Sequence, residues 1–166
     1  MFDSVFLFRP DTIWGFSCKF NDSNSINKII KLKKREKNKP FILLVSSFKE
    51  IEKIAHIEKK YKTEKFYGVS LLLKSKIKNK YLVKNGKICV RIPSNKKARQ
   101  FIKKTGMLVS TSANISGQKP LNFKELKEKF PNLKHKSFGR ASKPSTIIDL
   151  VNKKIIREGN RKIKCF

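Results

Sequence analysis

Acidic side chains are scarce in this chain: 12 Asp and Glu stand against 41 Lys and Arg, for a formal net charge of +29. Two sources of that excess stand side by side. A polyanionic partner leaves such an electrostatic footprint. Genome composition leaves one too, because lysine far outnumbers arginine while Asn, Ile and Phe, all with A/T-rich codons, are abundant. Cysteine is as sparse. Cys18, Cys89 and Cys165 are odd in number and form no C-x-x-C, and neither His56 nor His135 stands at metal-ligand spacing from them. This excludes a disulfide framework and a zinc site, and reduced thiols of the cytoplasm are the default expectation. No apolar run approaches transmembrane length, and "SVFLF" is too short for a secretory segment. No partner in a membrane is therefore expected. Also missing are G-x-x-x-x-G-K-[ST], G-x-G-x-x-G and G-x-S-x-G. P-loop, Rossmann and nucleophile-elbow chemistry lose their usual signatures. The two histidines lie in lysine-rich surroundings and read as solvated.

What is there fits one folded domain spanning residues 1–166. Hydrophobic residues make up 39%, too many for a disordered chain despite the charge. "SVFLF" reads as a buried strand and "RPDTIWGFSC" as the turn and loop after it. Asp22 or Ser23 caps a helix with Ile26, Ile29 and Ile30 at helical spacing, which runs into the basic stretch before Pro40. "FILLV" and "VSLLL" read as strands on either side of a helix opened by a Ser47/Glu50 capping box. "YLVKNGKICVRI" is a hairpin, since Asn-Gly between apolar runs suits a type I′ turn. Ser94 caps a helix through Thr105, "MLVST" is a strand, Asn122 and Glu125 open a helix ended by Pro131, and "STIIDL" and "KIIRE" are the last strands. The segment 131–144 reads as a loop. Strands alternating with helices, plus one hairpin, predict a mixed α/β sheet.

Four stretches lie where strands meet loops, the place open α/β sheets put ligand sites. They are "DTIWG", "KKREKNKPF", "STSANISG" and "KPSTIID". Each is unremarkable alone, because hydroxyl-rich loops are common turns and lysine runs are usually solvated. Taken together and in order with "KICVRIP", they resemble the YrdC/Sua5 family, the threonylcarbamoyl-AMP synthases, from Val5 to about Gly159. That family carries P-T-[DE]-T-x-[YFW]-G-L, K-x-R, V-x-V-R-I-P, S-A-N-x-S-G and P-S-T-I-[IV]-D.

The resemblance implies a single-domain twisted mixed sheet with flanking helices and a concave basic face. It implies L-threonylcarbamoyladenylate made from L-threonine, bicarbonate and ATP, with pyrophosphate released and Mg²⁺ on the nucleotide. It further implies that the product serves t6A modification of tRNA through downstream tRNA threonylcarbamoyl transferase proteins, with tRNA as a further partner. By match to the motifs, Lys33 and Arg35 are implied to be catalytic. Thr12, Arg91, Ser112 and Ser145 are implied to hold L-threonine. Arg35, Lys39, Ser70, Ser110, Asn114 and Arg157 are implied to hold ATP, with no protein-bound metal. A hydroxyl- and amide-rich loop suits anionic substrates, because it lets donors approach without adding competing charge. The competing expectation is a non-catalytic RNA-binding module of the same fold. The chain also departs from the family pattern. Arg9-Pro10 replaces Pro-Thr, Glu36 replaces the proline after K-x-R, and "KFYGVS" lacks the prolines of W-P-G-P.

Overall fold

The computed structural model describes residues 4–34 and 40–163. Within them, strands β1 (Phe6–Arg9), β2 (Gly15–Lys19), β3 (Ile42–Leu44), β4 (Ser70–Lys74), β5 (Val83–Lys84), β6 (Lys87–Arg91), β7 (Leu108–Ser112), β8 (His135–Ser137), β9 (Ile147–Asp149) and β10 (Lys154–Arg157) make one mixed sheet. Its order is β10-β9-β4-β6-β3-β7-β2-β1-β8, with β5 on β6 alone. Four helices flank it: α1 (Ser23–Lys33), α2 (Phe48–Ile54), α3 (Lys96–Thr105) and α4 (Phe123–Lys129).

Strand alternation sorts the side chains onto two faces. The register aligns Leu7 with Phe16, Leu43 with Val109 and Val90, and Leu71 with Val90 and Ile148. At its centre this face is apolar apart from Thr111 of β7, while Arg9, His135 and Ser137 lie on it at the β1–β8 edge. It packs on Ile26 and Ile29 of α1, Ile51 and Ile54 of α2, and Leu126 of α4 in one continuous buried core. Burying such a side chain is worth about 1.5–3 kcal/mol, so this face holds the sheet to its helices. On the opposite face α3 covers only one region. Its Ala98 and Ile102 pack with Phe6, Phe8, Leu44 and Leu108. The rest of that face, with Ile42, Leu72, Cys89, Arg91, Ser110, Ser112 and Ile147, stays uncovered and forms the floor of a cleft.

Most expected elements form, including the hairpin, where Asn85 and Gly86 both take positive φ (51° and 71°) as a type I′ turn requires. Five expectations need correction. The segment after β1 is not all loop, because residues 15–19 form β2 between β1 and β7. The 131–144 segment contains β8, a parallel partner of β1. Helix α1 stops at Lys33, with Lys34 in the left-handed region (φ 48°) donating its N–H back to Ile30 and Lys31 carbonyls. Helix α3 is capped by Asn95, whose side chain accepts from Ala98 N, and not by Ser94. Ser47 makes no side-chain cap, although Glu50 accepts from the Ser46 amide at 2.5 Å. Asn122 and Glu125 form a complete capping box on α4.

Candidate active site

A cleft of about 380 Å³ opens on the uncovered face. It is bordered by the β1–β2 connection, the end of β7, and the segment entering β9. Thr12, Arg91, Ser110, Ser112, Ser145 and Arg157 all border it, though they lie far apart in sequence. Ile42, Leu72, Cys89 and Ile147 supply an apolar floor.

Arg91 ends β6 with its side chain only 5% exposed. Its Nε donates to the Gly68 carbonyl (3.2 Å), Nη1 to Thr12 Oγ1 (3.3 Å) and Nη2 to Asp11 Oδ1 (2.6 Å). Burial pulls the guanidinium down from its ordinary value, while the Asp11 carboxylate beside it pulls the other way. An arginine stays charged under either influence. Asp11 is held in turn, since its Oδ2 accepts from Ser94 N and Ser94 Oγ, both at 2.6 Å.

Ser145 is buried, with its Oγ 2.8 Å from that of Ser70. Arg157 reaches in from β10 and donates to the Ser145 carbonyl from Nη2 (2.8 Å) and Nε (3.1 Å). Ser70 itself is buried beneath Ser145 and does not border the cleft. Ser110 Oγ accepts from Ser17 Oγ at 2.9 Å.

Lys33 is placed differently from a residue in contact with reacting atoms. It is 1% exposed and lies off the cleft wall. Its ammonium donates to the Ser112 carbonyl (2.5 Å), the Asn114 carbonyl (2.7 Å) and Asn114 Oδ1 (2.8 Å). Ser112 Oγ donates to the same Asn114 Oδ1 at 2.6 Å, and Ser116 N donates to the Lys33 carbonyl at 3.0 Å. The turn after β7 is thus latched to the end of α1 from both directions. Asn114 belongs to that latch and is not on the cleft wall. Arg35 and Lys39 lie outside the described residues; Pro40, the next residue, borders the cleft.

The departure at Arg9 has a local role. Arg9 Nε donates to Ser137 Oγ (3.0 Å), and its guanidinium lies 5.0 Å from the centroid of Trp14, which stacks on Phe123. Arg9 therefore ties β8 to the cleft wall. Asp11, Gly68, Ser94 and Ser17 are the supporting residues that sequence reasoning missed. Only Asp11 carried a signal, as it stands at the acidic position of the first motif.

No carboxylate or imidazole is among the described residues bordering the cleft. Burial pushes the Cys89 thiol up to about 12, which leaves it without thiolate character. Two guanidiniums and a set of hydroxyls on an apolar floor can bind anions, orient them and stabilise developing negative charge. They are not a general acid–base pair.

A twisted mixed sheet with this concave, arginine- and serine-lined site defines a fold class, and the comparisons agree with it. The family model for Sua5, YciO and YrdC, described as telomere recombination, matches residues 3–159, and the chain belongs to that family. A Methanocaldococcus jannaschii relative is 34% identical over 160 residues, covering 90% of this chain and 76% of its own. A threonylcarbamoyl-AMP synthase of Buchnera aphidicola subsp. Acyrthosiphon pisum is 29% identical over 170 residues, covering 93% and 97%. Among solved structures, P. abyssi Sua5 complexed with L-threonine superposes with a TM-score of 0.82 at 23% identity, and E. coli YciO with 0.81 at 22%. They cover 95% and 98% of this chain, and the chain spans about half (51%) of the P. abyssi protein and 86% of YciO. At these identities the structural likeness speaks for the fold.

Proposed function

We propose that this protein is a nucleotidyltransferase that makes L-threonylcarbamoyladenylate and pyrophosphate from L-threonine, bicarbonate and ATP. The observation that carries the reading is the gathering of Thr12, Arg91, Ser112 and Ser145 on one cleft with two guanidiniums and a set of hydroxyls suited to anions. The relatives named threonylcarbamoyl-AMP synthase support it.

The chemistry asks for what the cleft offers. The threonine amine adds to CO₂ derived from bicarbonate and loses a proton, giving a carbamate. A carbamate oxygen then attacks the α-phosphorus of ATP, and pyrophosphate leaves with the electron pair of the broken P–O bond. Both nucleophiles are present without a strong protein base, so catalysis rests on positioning and charge stabilisation. In this reading Arg91 and the Thr12 hydroxyl take the amino acid's carboxylate. Ser145, steadied by Ser70, and Ser112 orient its other end. Ser110 and Arg157 face the nucleotide, with Arg35 and Lys39 on its phosphates. Mg²⁺ arrives on the triphosphate, whose charge calls for it. The product then passes to the proteins that modify tRNA. Direct contact with tRNA rests on the net charge of +29 alone. No helix among the described residues is long and apolar enough to cross a membrane.

Purified protein with ATP, Mg²⁺, L-threonine and bicarbonate is expected to release pyrophosphate. Leaving out threonine or bicarbonate should stop it, and release indifferent to threonine would overturn the reading. Within the same assay, Arg35→Ala is expected to cut turnover roughly tenfold to a hundredfold. A charge-assisted phosphate contact is worth about 1.5–3 kcal/mol, at about 1.4 kcal/mol per factor of ten. Lys34→Ala, on an exposed residue, should leave turnover within about twofold, since lone surface charges contribute little. Equal losses in the two variants would remove any special role for position 35.

A further inference from the structure

The cleft has a sorting problem. On the proposed reading it must take one carboxylate and one polyanionic triphosphate side by side, in a protein whose own charge is +29. An unpaired arginine in the amino-acid half would attract phosphates at least as strongly as it attracts the carboxylate. Arg91 is not unpaired. We infer that Asp11 aims the Arg91 fork at the amino acid's carboxylate and, by its charge, keeps the nucleotide's phosphates off that half of the cleft.

The aiming follows from the bonds. A guanidinium has five N–H donors in a fixed plane. Three are spent on Gly68 O, Thr12 Oγ1 and Asp11 Oδ1. The Asp11 contact is one-pronged, because its second oxygen is taken by Ser94 N and Ser94 Oγ. One N–H therefore stays on each terminal nitrogen of a side chain that borders the cleft. Two such donors, on a guanidinium held from behind, can together receive the two oxygens of a carboxylate. Thr12 Oγ1, already accepting from Arg91, has its own hydrogen free to donate beside them.

The sorting follows from charge. Asp11 and Arg91 are both almost fully withdrawn from solvent, with side-chain exposures of 7% and 5%, so screening between them and a bound anion is weak. The pair is neutral as a whole. A carboxylate, with one charge, is held by directed hydrogen bonds and meets one unit of repulsion from Asp11. A triphosphate carries several charges, each repelled by the same Asp11, and gains no net attraction in return. Arg157 has no carboxylate among its hydrogen-bond partners, which are the carbonyl and hydroxyl of Ser145. The two halves of one basic cleft thus differ in the charge they accept.

This inference rests on the proposed reaction, and the experiment separates the two. Inorganic tripolyphosphate, which cannot react, is titrated against the full-length wild type and three variants in the threonine-dependent assay. In the wild type it is expected to compete with ATP and not with threonine. In Asp11→Asn it should also compete with threonine, while the threonine KM rises about tenfold and kcat stays within about threefold. Asp11→Glu keeps the charge but shifts the fork, so the threonine KM should rise while tripolyphosphate stays excluded. Ser94→Ala loosens Asp11 without removing its charge and should also keep tripolyphosphate out. If Asp11→Asn keeps the wild-type inhibition pattern, or if Asp11→Glu or Ser94→Ala admits tripolyphosphate, the sorting role is overturned with the synthase reading intact. A wild type with no threonine-dependent turnover would overturn both. If Asp11→Asn does not fold, the opposite demands on Asp11→Glu, a raised KM with exclusion retained, still decide the matter.

Discussion

Lys33→Met is expected to lower threonine-dependent turnover by about a hundredfold or more and to cost roughly 2–3 kcal/mol of stability. Methionine matches lysine in length and keeps the packing at the end of α1, so the variant isolates the ammonium. In the native protein that ammonium supports the Ser112 and Asn114 carbonyls and Asn114 Oδ1. Taking it away leaves these acceptors in a buried place. The loss is partial, because Ser112 Oγ still donates to Asn114 Oδ1 and Asn114 N to the Ser112 carbonyl. A buried acceptor left unsatisfied costs about 1–3 kcal/mol, and the desolvation that burying the native ammonium required offsets some of the total. The effect on turnover should outrun the effect on stability, since a shift of about 1 Å in a positioning element costs on the order of a hundredfold. Denaturant unfolding and pyrophosphate release on the same preparation check both halves. A variant within threefold of wild-type turnover would show that the latch does not set the geometry of the turn after β7.

Lys33 also shows where the sequence was legible and where it was not. Its spacing from Ile26, Ile29 and Ile30 puts it on the buried stripe of α1, so its burial could have been read from helical period alone. Its partners could not, because they lie 79 to 81 residues away. The strands with apolar runs, β3, β4, β6 and β7, were plain because one face packs in the core while Ile42, Leu72 and Cys89 on the other make the apolar floor of the cleft. Strand β2 was hidden by its own composition. Gly15, Ser17 and Lys19 alternate with Phe16 and Cys18, and the Trp-Gly before them reads as a turn. Strand β8 is a short edge strand of polar residues and carries no hydrophobic signal. The site residues were found as motif positions, and the cleft gathers six of them. What no motif disclosed was the layer behind: Gly68 behind Arg91, Ser94 behind Asp11, Ser17 beside Ser110, and the supporting place of the motif residues Asp11 and Ser70. Such supports arise from strand register, which a single sequence does not display.

Gly159→Ala tests one of those hidden supports from outside the cleft. A Cβ at position 159 would overlap the Pro144 carbonyl oxygen and lie 2.5 Å from Ser145 C and 2.6 Å from Thr146 N. All three are backbone atoms, so no side-chain rotation relieves the clash. Either the 144–146 segment or the chain at 159 must move by about 1 Å to restore van der Waals distance. The two are bonded together, Gly159 N to Thr146 Oγ1 at 3.1 Å and Asn160 N to the Pro144 carbonyl at 2.9 Å, so movement of either strains both. The displaced segment carries Ser145 away from Ser70 and Arg157. Overpacking of this kind costs about 1–3 kcal/mol, and turnover should fall by roughly a hundredfold through the loss of position. Because the substituted residue itself lies off the cleft wall, the fall should register as weaker use of threonine before any change in ATP affinity. Glu158→Ala, one residue away on an exposed side chain, should leave both stability and turnover close to wild type. Gly159→Ala with an unchanged threonine KM would mean that the 144–146 segment does not position the amino acid, and the assignment of Ser145 would fall with it.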